Sequence, residues 1–225
     1  MKHNEGMGVI SVRSLLELLS KIEGRHPVDG IHVYRGVRDA RYKLIPKVGR
    51  LPGYSHERER DCLLLFKKYA GSCLDYGPKN DWEWLALAQH HGLPTRLLDW
   101  TSNPLAAAYF AVEGSCDSDC AVYGMRIPYV IDVFRMKNPL ANGRGVGVFN
   151  PDHISGRIAA QAGVFTVHWQ PQQAVHRSTI DKFVIPRSER SAIRRSLFGF
   201  GIHRGTLFPD LDGQSQFIEW LKFGP

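Results

Sequence analysis

Four segments of the first half of the chain combine apolar residues with helix start and end signals. In the first segment the apolar residues occupy the i, i+3, i+4 and i+7 positions from Leu15 onward, which gives one apolar helix face. Asn80 and Asn103 can cap two of the other segments, and Pro104 suits the first helical position, where its missing N–H costs nothing. The predicted helices are Ser11–Glu23, Ser55–Tyr69, Asn80–His91 and Leu105–Glu113.

The second half changes to short apolar runs, which are typical of strands. One strand is also predicted early, over Ile31–Arg35, where apolar and polar residues alternate before Gly36. The later predicted elements are strands Ala121–Ile127, Tyr129–Phe134, Val164–Trp169 and Lys182–Ile185 and helices Arg187–Phe198 and Asp212–Leu221. The pattern predicts a single-domain α+β protein, with a helix-rich N-terminal half packed on a mixed or antiparallel sheet.

The composition is that of an ordinary globular protein, with 43% hydrophobic and 23% charged residues in a chain of 225. No apolar run approaches the roughly 20 residues that a membrane-spanning helix needs, so we expect no membrane partner. The first residues lack the apolar stretch of a secretory signal. Four cysteines are too few for a disulfide scaffold, and we expect reduced thiols and a cytoplasmic location.

Positive charge is in excess and is partly concentrated near the C-terminus. The chain has 29 Lys and Arg against 22 Asp and Glu, a net charge of +7, which favours a polyanionic partner. Between Arg187 and Arg204 five arginines face one acid, Glu189. A solvated helix face is the alternative explanation. The residues predicted to contact nucleic acid are Arg187, Arg190, Arg194 and Arg195.

Hydrogen-bonding side chains are densest between the helices predicted at Asn80–His91 and Leu105–Glu113. The connection Gly92–Ser102 is expected to be short, and polar side chains on a connection held by two helices often form a site. The alternative is a structural network with an Arg96–Asp99 ion pair. The polar residues of this block are Gln89, His90, His91, Thr95, Arg96, Asp99, Thr101 and Ser102.

No metal site is predicted. His90 and His91 are adjacent, so on a helix their side chains point about 100° apart and cannot chelate one ion. Cys116 and Cys120 lack a matching second pair of ligands. The glycines of Gly143–Gly147 do not stand between a strand and a helix as in a dinucleotide-binding loop, and a flexible loop is expected there.

Three motifs resemble the FRG domain family, which is named for a Phe-Arg-Gly tripeptide. They are Tyr34-Arg35-Gly36, with Tyr in place of Phe, the block Gln89–Thr101 and Leu207–Gly213. The resemblance covers about Ile31–Gly213 and carries no defined activity. It implies an FRG-like domain over residues 31–213, preceded by an N-terminal helix and connection (1–30) and followed by a C-terminal helix packed on the same domain (214–225).

A second, weaker resemblance is to ADP-ribosyltransferases. That family carries an arginine on an early strand, then a Ser-Thr-Ser-type strand followed by a small-residue helix, then a Glu or Gln before a later strand. Val33–Gly36, Trp100-Thr101-Ser102 with Ala106–Ala111, and Gln161–Val167 resemble that order. Two departures are Trp-Thr-Ser for Ser-Thr-Ser, and Gln161 for the glutamate of active transferases.

This resemblance implies NAD as cofactor and an ADP-ribosyltransferase-like fold. Arg35 is suited to bind phosphate or ribose oxygens, because its planar guanidinium group donates directed hydrogen bonds to them. Gln161 can hydrogen-bond a ribose hydroxyl but supplies no charge. The expected catalytic residues are Arg35, Gln161, Thr101 and Ser102. The expected NAD-binding residues are Arg35, Tyr34, Gln89, His90, His91, Arg96 and Asp99.

Three functions compete. The first is an NAD-dependent ADP-ribosyltransferase-like enzyme or NAD glycohydrolase that binds NAD or a related nucleotide. It would be a bacterial toxin or phage-defence effector that modifies a nucleic acid or protein target, and the sequence leaves open whether it has an antitoxin or operon partner. The alternative is a non-catalytic nucleic-acid-binding or nucleotide-sensing module, for which Trp100 and Trp169 are expected to be exposed. The third is another hydrolase or transferase that uses His90, His91 and Asp99 as acid and base groups, with Cys62 or Cys73 as nucleophile.

Overall fold

A computed structural model describes residues 8–26, 30–74, 77–114, 116–127, 129–141, 143, 145–151, 156–175 and 180–224. Eight helices are present in this part of the chain: α1 Leu15–Arg25, α2 His56–Ala70, α3 Asp81–His90, α4 Pro104–Val112, α5 Gly156–Ala160, α6 Arg190–Gly199, α7 Arg204–Leu207 and α8 Leu211–Phe223. The strands are β1 Gly8–Ser11, β2 His32–Val37, β3 Leu97–Thr101, β4 Cys120–Arg126, β5 Val146–Phe149, β6 Gly163–His168 and β7 Ile180–Ile185.

The seven strands form one mixed sheet in the order β1-β7-β4-β2-β3-β6-β5. β1 and β7 are parallel, and the other neighbours are antiparallel. The predicted single-domain α+β fold is therefore confirmed. None of the described helices has the length and apolar character to cross a membrane.

The sheet divides the packing into separate apolar clusters. α1, α4 and α6 cover the half that contains β7 and β4, and they bury Leu18, Ile193 and Phe183. α3 covers the other half, where Trp82 packs against Phe149 of β5 and Trp169. A third cluster lies around Trp100 and Tyr123. The two halves of the sheet thus have separate helix layers, and they meet at β2 and β3.

Side-chain caps explain why three helices begin where the sequence predicts. The side chains of Ser55, Asn80 and Asn103 accept hydrogen bonds from the first turns of α2, α3 and α4. At α1 the prediction was wrong: Ser14 is the cap, accepting from the N–H of Glu17, and Ser11 lies in strand β1. Pairing with β7 accounts for that strand, and the apolar spacing of α1 did not indicate it.

Four further predictions need correction. Tyr129–Phe134 is not a strand, and within it Val130 forms only an isolated bridge with Val148. Strand β5 occupies part of the stretch expected to be a flexible loop. The helix expected from Arg187 begins as a 3-10 turn and becomes α6 at Arg190. The supposed connection Gly92–Ser102 contains β3, an inner strand of the sheet.

Candidate functional site

The Tyr-Arg-Gly tripeptide lies in β2 and each of its residues has a separate task. The Tyr34 ring is buried in the cluster beneath α4, while the neighbouring Arg35 points to the other face of the sheet, as strand alternation requires. A Cβ atom on Gly36 would lie 2.0 Å from the carbonyl oxygen of Ala107. Glycine at this position therefore allows α4 to pack directly on β2.

β2 and β3 diverge next to this tripeptide. Within these two strands the ladder pairs Tyr34 with Thr101, whereas β2 pairs with β4 along six residues. Arg35 crosses the opening: its Nη1 donates to the backbone carbonyl of Asp99 at 2.5 Å and lies 3.7 Å from the Asp99 carboxylate. A gap between two central strands, bridged by a guanidinium, is the geometric centre of the site.

A short hydrogen-bond chain holds Asp99 in place. The Thr95 hydroxyl donates to Gln89 Oε1 at 2.7 Å, and Gln89 Nε2 donates to both Asp99 oxygens at 3.1 Å. Gln89 stands at the end of α3 and Asp99 in β3, so the chain links the helix to the strand. Of the predicted polar block, Gln89 and Thr95 are thus connected to Asp99.

A cavity of about 340 Å³ opens at the gap between β2 and β3. Four arginines and two acids contribute to its wall. Among the described residues, Arg38, Arg50 and Arg157 form no ion pair. The lining residues are Tyr34, Arg35, Gly36, Val37, Arg38, Tyr42, Arg50, Asp99, Trp100, Thr101, Phe110, Glu113, Arg157 and Gln161. The excess of unpaired guanidinium groups suits an anionic ligand.

Burial and neighbouring charges act on the arginines of this wall. Burial lowers the pKa of Arg35 and nearby Arg50 lowers it further, while Asp99 raises it. Burial also lowers the pKa of Arg157, whereas the nearby carboxylate of Asp210 raises it. An arginine stays protonated at neutral pH despite such shifts. The shifts therefore report cations that are partly desolvated and close to one another, a condition that a bound anion would relieve.

Four charged residues of the cavity wall were not predicted from the sequence: Arg38, Arg50, Glu113 and Arg157. Arg157, in α5, stacks on the ring of Phe208 with its Cζ atom 4.2 Å from the centroid. Glu113, just after α4, pairs with Arg204 and accepts a hydrogen bond from the Tyr109 hydroxyl at 3.2 Å. The path of the chain through the fold brings Arg157 and Glu113 to the gap between β2 and β3, so the sequence alone contains no signal for either residue.

The predicted catalytic residues are only partly brought together. Gln161 lines the same cavity as Arg35, and its Nε2 donates to the Leu207 carbonyl at 3.0 Å. The buried Thr101 hydroxyl donates to the Gln161 carbonyl at 2.6 Å, so it fixes the backbone there. Ser102 is exposed and does not line the cavity.

The two histidines lie beside the cavity and outside its wall. His90 ends α3, and His91 is exposed just beyond it. Burial and the neighbouring His91 lower the pKa of His90, as does Arg157, whereas Asp99 raises it. The charges of Arg157 and Asp99 therefore act on His90, although His90 does not line the cavity.

Arg96 is not a cavity residue, and the expected Arg96–Asp99 pair does not form. Its guanidinium is fully buried and makes two hydrogen bonds to Glu59, at 3.0 and 2.7 Å. A further bond, 3.1 Å long, joins it to His56 Nδ1. Arg96 thereby ties β3 to α2, which identifies it as a structural residue instead of an NAD ligand.

The C-terminal arginines lie on a separate surface. Arg190 is buried and donates to the backbone carbonyls of Arg38, Glu113, Gly114 and Ser118, so its predicted contact with nucleic acid is wrong. The other three line a groove beside α6. The expected exposure of Trp100 and Trp169 is also wrong, because both rings are at most 5% exposed.

Two other kinds of chemistry, metal binding and cysteine catalysis, find no support among the described residues. These residues hold no cluster of three or more histidine, cysteine or acidic side chains that is arranged for a metal ion. All four cysteines are free thiols, and neither Cys62 nor Cys73 lines the cavity. A cysteine nucleophile for the β2–β3 cavity is therefore absent from its wall.

Comparison with known proteins gives one match. Residues 31–120 match the model of the FRG domain. No curated protein and no solved structure matches the chain. The match covers a shorter range than the residues 31–213 expected from the motifs. The matched range includes Arg35 and Asp99, and it ends before Arg157 and Gln161. The resemblance to ADP-ribosyltransferases rests on the chain's own residues.

Proposed function

We propose that this FRG-domain protein is an NAD-dependent ADP-ribosyltransferase-like enzyme whose site is the β2–β3 cavity. One observation carries the proposal: Arg35 and Gln161, far apart in the sequence, line the same cavity where the central strands part. The motif order that resembles the transferases is thus accompanied by the spatial convergence that a shared site requires.

The residues of the cavity fit a pyrophosphate-containing dinucleotide. Its volume of about 340 Å³ falls in the range of about 300–1,000 Å³ that small-molecule sites occupy. Arg35, Arg38, Arg50 and Arg157 would bind the phosphate oxygens, because guanidinium groups donate paired, directed hydrogen bonds to them. Arg35 would also keep its bond to the Asp99 carbonyl, which orients it across the gap.

The two carboxylates of the wall supply the negative charge that Gln161 lacks. When bound, NAD provides a nicotinamide leaving group whose departure leaves positive charge on the ribose, as in glycoside cleavage. Gln89 orients Asp99, and Tyr109 with Arg204 orients Glu113. A carboxylate held by such partners stabilises developing positive charge without having to reorganise.

The test is nicotinamide release from NAD by the purified protein, with total cellular RNA, DNA or protein added in turn as the target. Arg35→Ala is expected to lower release by roughly 10² to 10³, the usual effect of removing one preorganised electrostatic contact. Arg35→Lys should recover only part of it, because an ammonium group lacks the planar fork. Arg135→Ala is the matched control, since Arg135 is 90% exposed and outside the cavity.

Two further variants identify the acid. Asp99→Asn and Glu113→Gln keep the size of each side chain and remove its charge, and the one that supports the transition state should lower kcat more than it raises KM. Native protein that neither releases nicotinamide nor binds NAD in calorimetry would refute the proposal. Stimulation by one target fraction would identify the class of macromolecule on which a toxin or phage-defence effector of this kind acts.

The second candidate function is a nucleotide-sensing module without turnover. It is favoured by Gln161, whose amide carries no charge and is bonded to the Leu207 carbonyl. Binding of NAD that depends on Arg35, with no nicotinamide released under any condition, would select this function over the enzyme.

A further inference from the structure

A groove of about 660 Å³ lies between α6 and the end of α8, apart from the β2–β3 cavity. We call it the α6–α8 groove. Four arginines line it together with the rings of Phe198 and Trp220. Arg190 is buried, so the three that a ligand can reach are Arg187, Arg194 and Arg195. Neither the FRG match, which ends at residue 120, nor the proposed transferase chemistry assigns a role to this surface.

The charge of the groove is strongly positive. Its lining contains one acid, Asp117, which pairs with Arg187 at 2.7 Å while both side chains remain more than half exposed. Arg195 is exposed and has no ion pair among the described residues. Exposed pairs contribute little free energy. A polyanion can therefore displace Asp117 and meet three guanidinium groups.

Two aromatic rings lie beside these cations. The Cζ atom of Arg194 lies 4.8 Å from the centre of the Trp220 ring, and the Phe198 ring lies 5.5 Å from that of Trp220. Phe198 is 39% exposed. Phosphates need cations and bases need flat apolar surfaces, so this mixture suits single-stranded nucleic acid better than an acidic peptide, which has no bases to stack.

One buried arginine separates the groove from the β2–β3 cavity. Buried Arg190 forms the wall between them, with Nη1 donating to the Arg38 carbonyl at 3.0 Å and Nη2 to the Gly114 carbonyl at 3.2 Å. Arg38 lines the cavity and Gly114 lines the groove. Arg190 therefore contacts one residue of each surface.

We propose that the α6–α8 groove binds single-stranded nucleic acid through the phosphate contacts of Arg187, Arg194 and Arg195 and through base stacking on Phe198 and Trp220. This proposal does not depend on turnover of NAD, because binding to the groove requires nothing in the cavity.

The test is fluorescence anisotropy of the full chain with a labelled single strand of about 12 nucleotides, within the roughly 4–16 that one binding module covers. No NAD is added. The slope of log K against log salt should change by about 0.7 for each phosphate that an arginine no longer neutralises. The double variant Arg187→Gln/Arg195→Gln should therefore have a slope shallower by about 1.4. Arg13→Gln/Arg135→Gln removes the same charge from exposed positions elsewhere and should leave the slope unchanged.

A second variant tests stacking. Phe198→Ala should weaken binding about tenfold, which is within the effect of removing the ring under one stacked base, and should leave the salt slope unchanged. Phe134→Ala is its control, because Phe134 is 87% exposed and lies outside the groove. Circular dichroism spectra that match those of the native protein show that each variant is folded.

Three results would overturn the proposal. The first is binding that does not respond to salt. The second is an equal change of slope in the groove variant and in the Arg13/Arg135 control. The third is displacement of the strand by poly-glutamate at equal charge concentration, which would indicate a site for acidic protein. Since NAD is absent throughout, none of them bears on the proposed enzyme.

Discussion

The buried pair of Arg96 and Glu59 gives the clearest test of which motif residues serve the fold. Arg96 stands in the polar block beside Asp99, yet its side chain is fully buried and that of Glu59 is 2% exposed. Substituting Arg96→Met leaves a buried carboxylate whose remaining side-chain partner is the Tyr54 hydroxyl, at 3.1 Å. Burial and that carboxylate raise the pKa of Tyr54 to about 12, so the hydroxyl stays protonated at neutral pH and remains a donor.

Removal of one partner from such a pair costs about 3–5 kcal/mol, because the other charge remains without compensation in a place water does not reach. For a domain of about 150–250 residues, 1 kcal/mol lowers Tm by about 2–4 °C. We therefore expect Arg96→Met and Glu59→Gln each to lower Tm by about 6–20 °C. The double variant Arg96→Met/Glu59→Leu removes both charges and should recover most of that stability.

The assay is thermal and urea unfolding of the native protein, the two single variants and the double variant, with NAD binding measured well below each transition. Arg35→Ala is the comparison, since Arg35 is partly exposed in the cavity and should affect binding more than stability. Single variants within about 1 kcal/mol of the native free energy of unfolding would refute the reasoning. So would an Arg96→Met protein that unfolds normally but no longer binds a ligand that the native protein binds.

Three other changes test separate parts of the structure. Gly36→Ala should destabilise the protein by about 3 kcal/mol or more in urea unfolding, because its Cβ atom would lie 2.0 Å from the Ala107 carbonyl oxygen; a decrease below about 1 kcal/mol would contradict direct packing of α4 on β2. Burial lowers the pKa values of His26, His90 and His203 in the folded state. As the pH falls through about 6.5, the usual pKa of histidine, the unfolded chain therefore binds more protons than the folded chain. The urea midpoint should decrease from about pH 7.5 to about pH 5.5, and a midpoint that increases on acidification would contradict these shifts. Ala162 has a φ of +45° beside Gln161, so Ala162→Val should cost at least about 1 kcal/mol while Ala162→Gly stays within about 0.5 kcal/mol of the native value, and equal decreases would show that this backbone is not strained.

Much of the fold followed from local signals in the sequence. Ser55, Asn80 and Asn103 marked the starts of α2, α3 and α4 because a cap is a contact between residues two or three positions apart. β2 was predicted from its alternation. β1 was not predicted, and the apolar pattern placed β3 within a connection, because each owes its strand conformation to a distant partner, β7 in one case and β6 in the other.

The site residues also divide into those that local motifs indicated and those that only the folded structure reveals. Arg35 and Gln161 could be named from motifs, and they do line one cavity, although their roles remain proposals. Arg157 and Glu113 reach the same wall only through the path of the chain, and nothing near them in the sequence distinguishes them from surface charges. Arg96 and Arg190 show the opposite error: by sequence they resemble functional arginines, and their role depends on burial that no local pattern reveals.

The strand order also has a consequence for when the cavity can form. β2, which carries Arg35, is near the start of the chain, while Gln161 and β6, the strand that pairs with β3, are made far later. Such high contact order slows folding, since distant segments must meet before their contacts stabilise them. At about 5–20 residues per second, a ribosome needs about 6–25 s to extend the chain from Arg35 to Gln161. A nascent chain therefore has no complete site, and any activity of this cavity begins only after most of the protein has been synthesised.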